Sequence, residues 1–265
     1  MKKKLFGLML VGVMLLTIAA GCLTTTETIT QTITLTKTAT QQPTNLENAG
    51  GAVTAPTGYQ AVADLVSSYP VEELTQDEID GILWMREEEK LARDVYLTLY
   101  EKWGLQIFYN IATRSEQTHM DMVLALIEKY NLTDPVGDNG IGEFTNPEIQ
   151  ALYDKLVAEG SKSVEDALKV GALIEEVDIK DLEEWLAKSD NEDIKFVYEN
   201  LMMGSRNHLR AFVRNLENYG ITYQPQVLPQ DQYEQIINTP MEMGTRWMIV
   251  VSLSYLIIFQ QLLEA

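Results

Sequence analysis

The sequence predicts an all-α protein: a four-helix bundle with one long crossover between its second and third helices, followed by a C-terminal apolar segment. Two observations carry this. Four long stretches place apolar residues at alternating steps of three and four, the period of a helix face turned toward a core. The connections between them run short, long, short, which is the connectivity of a bundle with a single crossover.

Helix one opens on a capping box, Thr75 followed three residues later by Glu78, and runs to about Trp103, where Gly104 is its stop. Ile82, Met85, Glu89, Ala92, Tyr96, Leu99 and Trp103 share its inner face. Glu87 and Glu88 fall elsewhere on the wheel and are expected to be solvated. Helix two covers about Leu105 to Tyr130, with Leu105, Phe108, Ala112, Glu116, His119, Val123, Leu126 and Tyr130 on one face. The stretch from Asn131 to Lys162 is rich in Gly, Pro and Asp and suits a crossover, with one short helix signalled by Asn146 as cap and Pro147 at its first position. Helix three is capped by Ser163 and runs to about Lys188. Leu168, Ala172, Glu175, Ile179 and Leu182 share its inner face, and Asp178 lies beside them. Glu176 falls about 100° away with Leu173 and Lys180, and is expected to be exposed. Helix four is capped near Ser189 or Asp190 and ends by Gly220, with Val197, Leu201, Ser205, His208 and Phe212 inward. Gly58 continues a loop that enters the domain, and Pro225 and Pro229 mark an extended exit from it.

Six ionisable groups therefore stand where apolar side chains belong: Glu89, Glu116, His119, Glu175, Asp178 and His208. Any one could be a structural ion pair, with Arg86, Arg93, Arg114, Arg206 and Arg210 available as partners. Burying all six without compensation is prohibitive, so the set points to a metal site. Glu-x-x-His projecting inward from a bundle helix is a di-iron and di-manganese ligand motif. Carboxylates with one imidazole per ion suit iron or manganese. Tyr96, on the face of Glu89, is placed to hydrogen-bond a ligand or supply an electron.

Composition narrows the rest. The chain has 265 residues and a net charge of −19, which repels nucleic acid. One cysteine excludes an internal disulfide and any Cys-built zinc or iron–sulfur site. His119 and His208 are the only two histidines. Residues 1–22 read as a lipoprotein-type signal: Lys2–Lys4, an apolar run, then Ala19-Ala20-Gly21-Cys22. Lipidation of Cys22 would anchor the protein outside the cytoplasm on the cell membrane; simple secretion or an uncleaved anchor is the other reading. A Thr-rich tether spans 23–56, the helical domain 57–224, and an extension 225–265. Its apolar stretch, 247–263, fits a fifth helix, a contact between copies in a homo-oligomer, or a membrane anchor.

Family resemblance adds to this. Glu89-Lys90-Leu91-Ala92-Arg93-Asp94-Val95-Tyr96 resembles the first-helix ligand segment of rubrerythrins, and Glu116-x-x-His119 matches their second-helix motif. Glu175-x-x-Asp178 is similar to their third-helix Glu-x-x-Glu. From about Val71 to Gln224 the chain resembles a prokaryotic ferritin-like family of uncharacterised function. Its hallmarks are Glu-Glu-Glu-Lys-Leu-Ala-Arg-Asp-Val-Tyr, Ser-Glu-Gln-Thr-His-Met, Gly-Ala-Leu-Ile-Glu-Glu-Val-Asp-Ile and Gly-Ser-Arg-Asn-His-Leu-Arg-Ala-Phe. The resemblance implies a site for two iron ions, or manganese, that reacts with peroxide or oxygen and takes electrons from an external donor, because the rubredoxin-type Cys domain is missing. One departure stands out: Ser205 occupies the place of a fourth-helix Glu. It favours the alternative of a non-enzymatic, lipid-tethered metal-binding or interaction module.

Overall fold

A computed structural model describes residues 58–243 of the chain. The expected leader and tether and the apolar segment at 247–263 lie outside the described residues. Among the described residues the protein is all-helical, and no helix is long and apolar enough to cross a membrane.

The first helix, α1 (Gly58–Ser67), is one the sequence periodicity does not predict. It starts at Gly58, which was expected in a loop, and buries Val62 and Val66. A helix end leaves carbonyls without intrahelical partners. Here one ammonium takes them: Lys129 Nζ donates to the Val66 carbonyl at 3.2 Å and to those of Tyr69 and Pro70 at 3.0 Å.

Next comes α2 (Gln76–Trp103), which begins and ends as predicted. The Thr75 side chain accepts from the Glu78 amide, and the Thr75 amide donates back to Glu78 Oε2 at 2.9 Å. Gly104 closes the helix at φ 68°, a left-handed conformation that glycine adopts without strain. The second long helix is built of three parts in sequence: α3 (Gln106–Asn110), a π-helical turn (Ile111–Glu116) and α4 (Gln117–Lys129). The π turn widens the helix locally and ends at Glu116.

Within the crossover, α5 (Pro147–Gly160) is capped by Asn146, whose side chain accepts from the Glu148 amide at 2.9 Å. Ser163 caps α6 (Val164–Leu186) by accepting from the Asp166 amide at 3.0 Å. The start of α7 (Glu192–Asn218) corrects the expectation of a Ser189 or Asp190 cap. Asn191 precedes the first turn and makes no side-chain capping bond. Glu78 Oε1 instead accepts from the amides of Asp190 and Asn191 at 3.1 and 3.2 Å, so one carboxylate serves the starts of both α2 and α7. Past Pro229, where extended chain was expected, α8 (Gln230–Ile237) buries Tyr233 and Ile236.

The four long helices close on one another: α2 packs on α4 and α6, α6 on α7, and α7 on α4. Tyr96, Phe108 and Phe212 form an aromatic triangle between them, with centroids 5.2, 5.5 and 5.9 Å apart. Each such fully buried aromatic or aliphatic side chain contributes roughly 1.5–3 kcal/mol.

Connecting segments bury the outer faces as well, and this overturns two expectations. Glu87 and Glu88 are 3% and 4% exposed, not solvated: the crossover lies over Glu87, while Glu88 lies against Trp84, whose indole also faces Asp181 of α6. Glu87 accepts from the amides of Thr145 and Asn146 at 2.6 and 3.0 Å. Lys90 donates to the carbonyls of Gly140 and Glu143 and to Asp94. Glu176 is fully buried, not exposed. It accepts from the Tyr223 hydroxyl and from the amides of Gln226, Val227 and Leu228 at 2.6–3.0 Å.

Candidate metal centre

Each long helix contributes to one buried cluster. From α2 comes Glu89, whose Oε2 lies 3.0 Å from His119 Nδ1 on α4. Glu116, at the end of the π turn, reaches both imidazoles. Its Oε2 is 3.0 Å from His119 Nδ1, and its Oε1 is 3.0 Å from His208 Nδ1 on α7. Glu175 from α6 completes the far side, 3.3 Å from His208 Nδ1. The two imidazole rings stack with centroids 5.5 Å apart.

Two triads result: Glu89, Glu116 and His119, and Glu116, Glu175 and His208. Within each, the donor atoms lie within 4.8 Å of one another, and Glu116 is common to both. All five residues are buried. The i,i+3 step of Glu116 and His119 puts both on one side of the helix, and both are presented to the same side of the site.

Asp178 is buried beside the cluster but belongs to neither triad. Its Oδ2 accepts from the Ser205 hydroxyl. Ser205 is thus joined to the carboxylate of the neighbouring helix at the level where a fourth-helix Glu was expected. Tyr96 is fully buried and donates its hydroxyl to Glu175 Oε1 at 2.5 Å. It holds a carboxylate in place and does not stand free.

Electrostatics show how crowded the cluster is. Burial pushes Glu89 and Glu175 up to about 7, against the pull of the imidazole facing each. Burial, then the charge of Glu89, hold Asp178 well above the usual carboxylate range. Burial also raises Glu116, but His208 and His119 outweigh it and the group ends below its ordinary value. Burial works against charge on the imidazoles too. Glu89 and Glu116 nonetheless hold His119 well above its usual value, and Glu175 and Glu116 hold His208 up to about 10.

Hydrogen bonding leaves part of the set unanswered. Glu89 Oε1, Glu116 Oε1 and Asp178 Oδ1 are buried without a hydrogen-bond partner. The Glu116 oxygen has His208 Nδ1 at hydrogen-bond distance but not at a hydrogen-bonding angle. A buried acceptor left in this way costs about 1–3 kcal/mol, more when charged. Four of the five expected arginine partners pair with other acids, and the fifth, Arg114, is exposed. Arg86 pairs with Asp134, Arg93 with Asp94, and Arg206 and Arg210 with Glu242. Oxygen-rich donors, one imidazole per triad and buried oxygens left without a hydrogen-bond partner fit a hard or borderline cation. The buried carboxylate and histidine groups could therefore hold a metal ion.

Two neighbours escaped sequence reasoning. Ser115, on the π turn, has its Oγ 2.7 Å from His208 Nε2. Glu88 accepts from Trp84 Nε1 at 2.8 Å, and the same indole N–H lies 3.2 Å from Asp181. Burial, with the charges of Asp181, Asp178 and Glu89, holds Glu88 well above the usual carboxylate range. Neither residue falls in the apolar repeat; adjacency to a ligand was the one signal available.

Comparison with known proteins gives the family of the chain. Residues 78–240 match the family model described as "Uncharacterized protein domain (DUF2202)", and the chain belongs to that family. It is 61% identical over 181 residues to "Uncharacterized protein MJ0754" of Methanocaldococcus jannaschii, a match covering 68% of this chain and 97% of that protein. It is also similar to the crystal structure of the hypothetical protein MJ0754 from Methanococcus jannaschii DSM 2661. There the TM-score is 0.64 at 62% identity, covering 65% of this chain and 98% of that one.

Proposed function

We propose that this protein is a ferritin-like carboxylate protein holding two metal ions, iron by preference, that reduces peroxide or oxygen at the cell surface. The observation that carries the reading is the shared carboxylate: Glu116 stands between two imidazoles, each with a further glutamate of its own. In this reading the four long helices are a ferritin-like bundle related to rubrerythrins. Glu89 and His119 would hold one ion, Glu175 and His208 would hold the other, and Glu116, common to both triads, would serve the two. Bound iron would supply the electrons for the reduction, replenished by an external donor.

The chain's own residues do the rest. Tyr96 orients Glu175 through its 2.5 Å hydrogen bond. The aromatic triangle keeps water from that flank of the site. Asp178 and Glu88, both held toward their protonated forms, are positioned to keep a proton next to the centre. The lipid on Cys22 and the Thr-rich tether would place the domain outside the membrane.

Metal analysis of the purified chain, reconstituted with ferrous iron under argon, tests the reading. Two ions per chain and peroxide consumption that is lost in Glu116→Ala are expected. No tightly bound ion after reconstitution would refute it. A second reading rests on Ser205: without a fourth-helix Glu bridge, the protein would bind metal without turnover. Stoichiometric binding with no redox cycling would favour that module.

A further inference from the structure

The two triads are not held alike. In the Glu175–His208 triad, both outer residues have a second anchor. Tyr96 donates to Glu175 Oε1 at 2.5 Å, and Ser115 Oγ lies 2.7 Å from His208 Nε2. In the Glu89–His119 triad, neither residue has one. Glu89 Oε1 is buried without a partner. His119 Nε2 faces the backbone of Gly204, only 2.3 Å from where a Cβ would stand, and makes no hydrogen bond among the described residues.

The consequence follows from imidazole chemistry. A neutral histidine offers one nitrogen as a ligand only when the other carries the proton. At both rings Nδ1 faces the carboxylates. Nε2 must therefore hold the proton, and a hydroxyl oxygen at hydrogen-bond distance fixes that tautomer and the ring's angle. Outer hydrogen bonds of this kind change metal affinity about 10- to 100-fold. The π turn makes the arrangement possible, since it delivers consecutive residues, Ser115 and Glu116, to the two edges of one imidazole.

Resting on the dinuclear reading above, we propose that Ser115 is a positioning residue for His208 and makes the Glu175–His208 position the tighter of two unequal metal sites. The Glu89–His119 position is then the exchangeable one.

Calorimetric titration of the metal-free full chain with Mn²⁺ tests this. The wild type is expected to bind in two steps. Ser115→Ala should weaken the tighter step 10- to 100-fold and leave the weaker step unchanged, while Ser115→Thr, which keeps the hydroxyl, restores it. A second readout does not depend on affinity. The chain has only two histidines, so long-range ¹H–¹⁵N spectra of the Zn²⁺-loaded protein contain two rings. Ser115→Ala should shift the His208 Nε2–H resonance and spare His119. Two Mn²⁺ bound with the same isotherm in wild type and Ser115→Ala, or equal loss at both steps, overturns the inference and leaves the dinuclear reading intact. A wild type that binds no Mn²⁺ overturns both.

Discussion

Neighbouring glutamates on the same helix have opposite fates in this protein. Glu176 and Glu175 are consecutive on α6, and Glu87 and Glu89 are two apart on α2; all four are buried. Glu176 accepts from a phenol and three backbone amides, and Glu87 from two backbone amides. They are fastenings, each pinning a connecting segment to a helix. Glu89 keeps an orphaned oxygen, and Glu175 faces an imidazole and a phenol in the interior of the molecule. Burial alone does not separate the two groups. Their partners do: backbone amides answer the structural carboxylates, whereas Glu89 and Glu175 each face an imidazole of the cluster and take no backbone amide, and Glu89 keeps an oxygen with no partner.

The sharpest way to break this contrast is to remove the shared ligand. Glu116→Ala is expected to abolish tight metal binding at both positions, a fall of at least about 100-fold, while circular dichroism stays that of a folded helical protein. Binding retained at one full equivalent would show that the two triads do not share a carboxylate. The converse substitution, Glu176→Ala, should do the reverse. Losing the acceptor of four hydrogen bonds is expected to lower stability by about 2–4 kcal/mol by denaturant titration, with metal stoichiometry unchanged.

How much of this was legible from the sequence depends on which face a residue occupies. The four long helices, the caps at Thr75, Asn146 and Ser163, and the stop at Gly104 were readable because each rests on a short-range rule. The five triad residues were readable because a polar side chain interrupts an apolar period. Glu88 lies against Trp84 beside Asp181, a contact no apolar period announces, and Glu87 and Glu176 depart from the sequence reading because a helix in a bundle need not bury one face only. The crossover and the segment after Tyr223 wrap the outer faces, and nothing in a local period announces such a wrap. The π turn was invisible because Ala112 and Glu116 remain four residues apart, in register with the rest of the face. Asp178 was readable as inward but not as Ser205's partner, since that bond links positions 27 residues apart.

A smaller effect separates the two halves of the site. Gly204→Ala would drive a Cβ into His119, so the ring must shift. Metal affinity at the Glu89–His119 position is expected to fall about tenfold, on the scale of other perturbed ligand supports. The Glu175–His208 position should keep its affinity. Equal weakening of both in a Mn²⁺ titration would contradict a division at Glu116.

The smallest and broadest expectation concerns pH. In the metal-free protein Glu89 and Glu175 sit near 7 instead of 4.5, and His208 near 10 instead of 6.5. The folded state therefore binds more protons than the unfolded one from about pH 4.5 to 7 through the glutamates, and from about 6.5 to 10 through His208. Stability falls with rising pH wherever the folded state holds the extra protons. The melting temperature of the metal-free protein should thus decline from about pH 5 to pH 10. Metal must displace those protons, so affinity rises with pH and the loaded protein should lose this decline.

The most direct measurement is anomalous diffraction from crystals of the chain loaded with ferrous iron under argon. Two peaks are predicted, one between Glu89, Glu116 and His119 and the other between Glu116, Glu175 and His208. An absence of signal at both triads, or iron bound only at exposed acidic surface groups, would contradict the account.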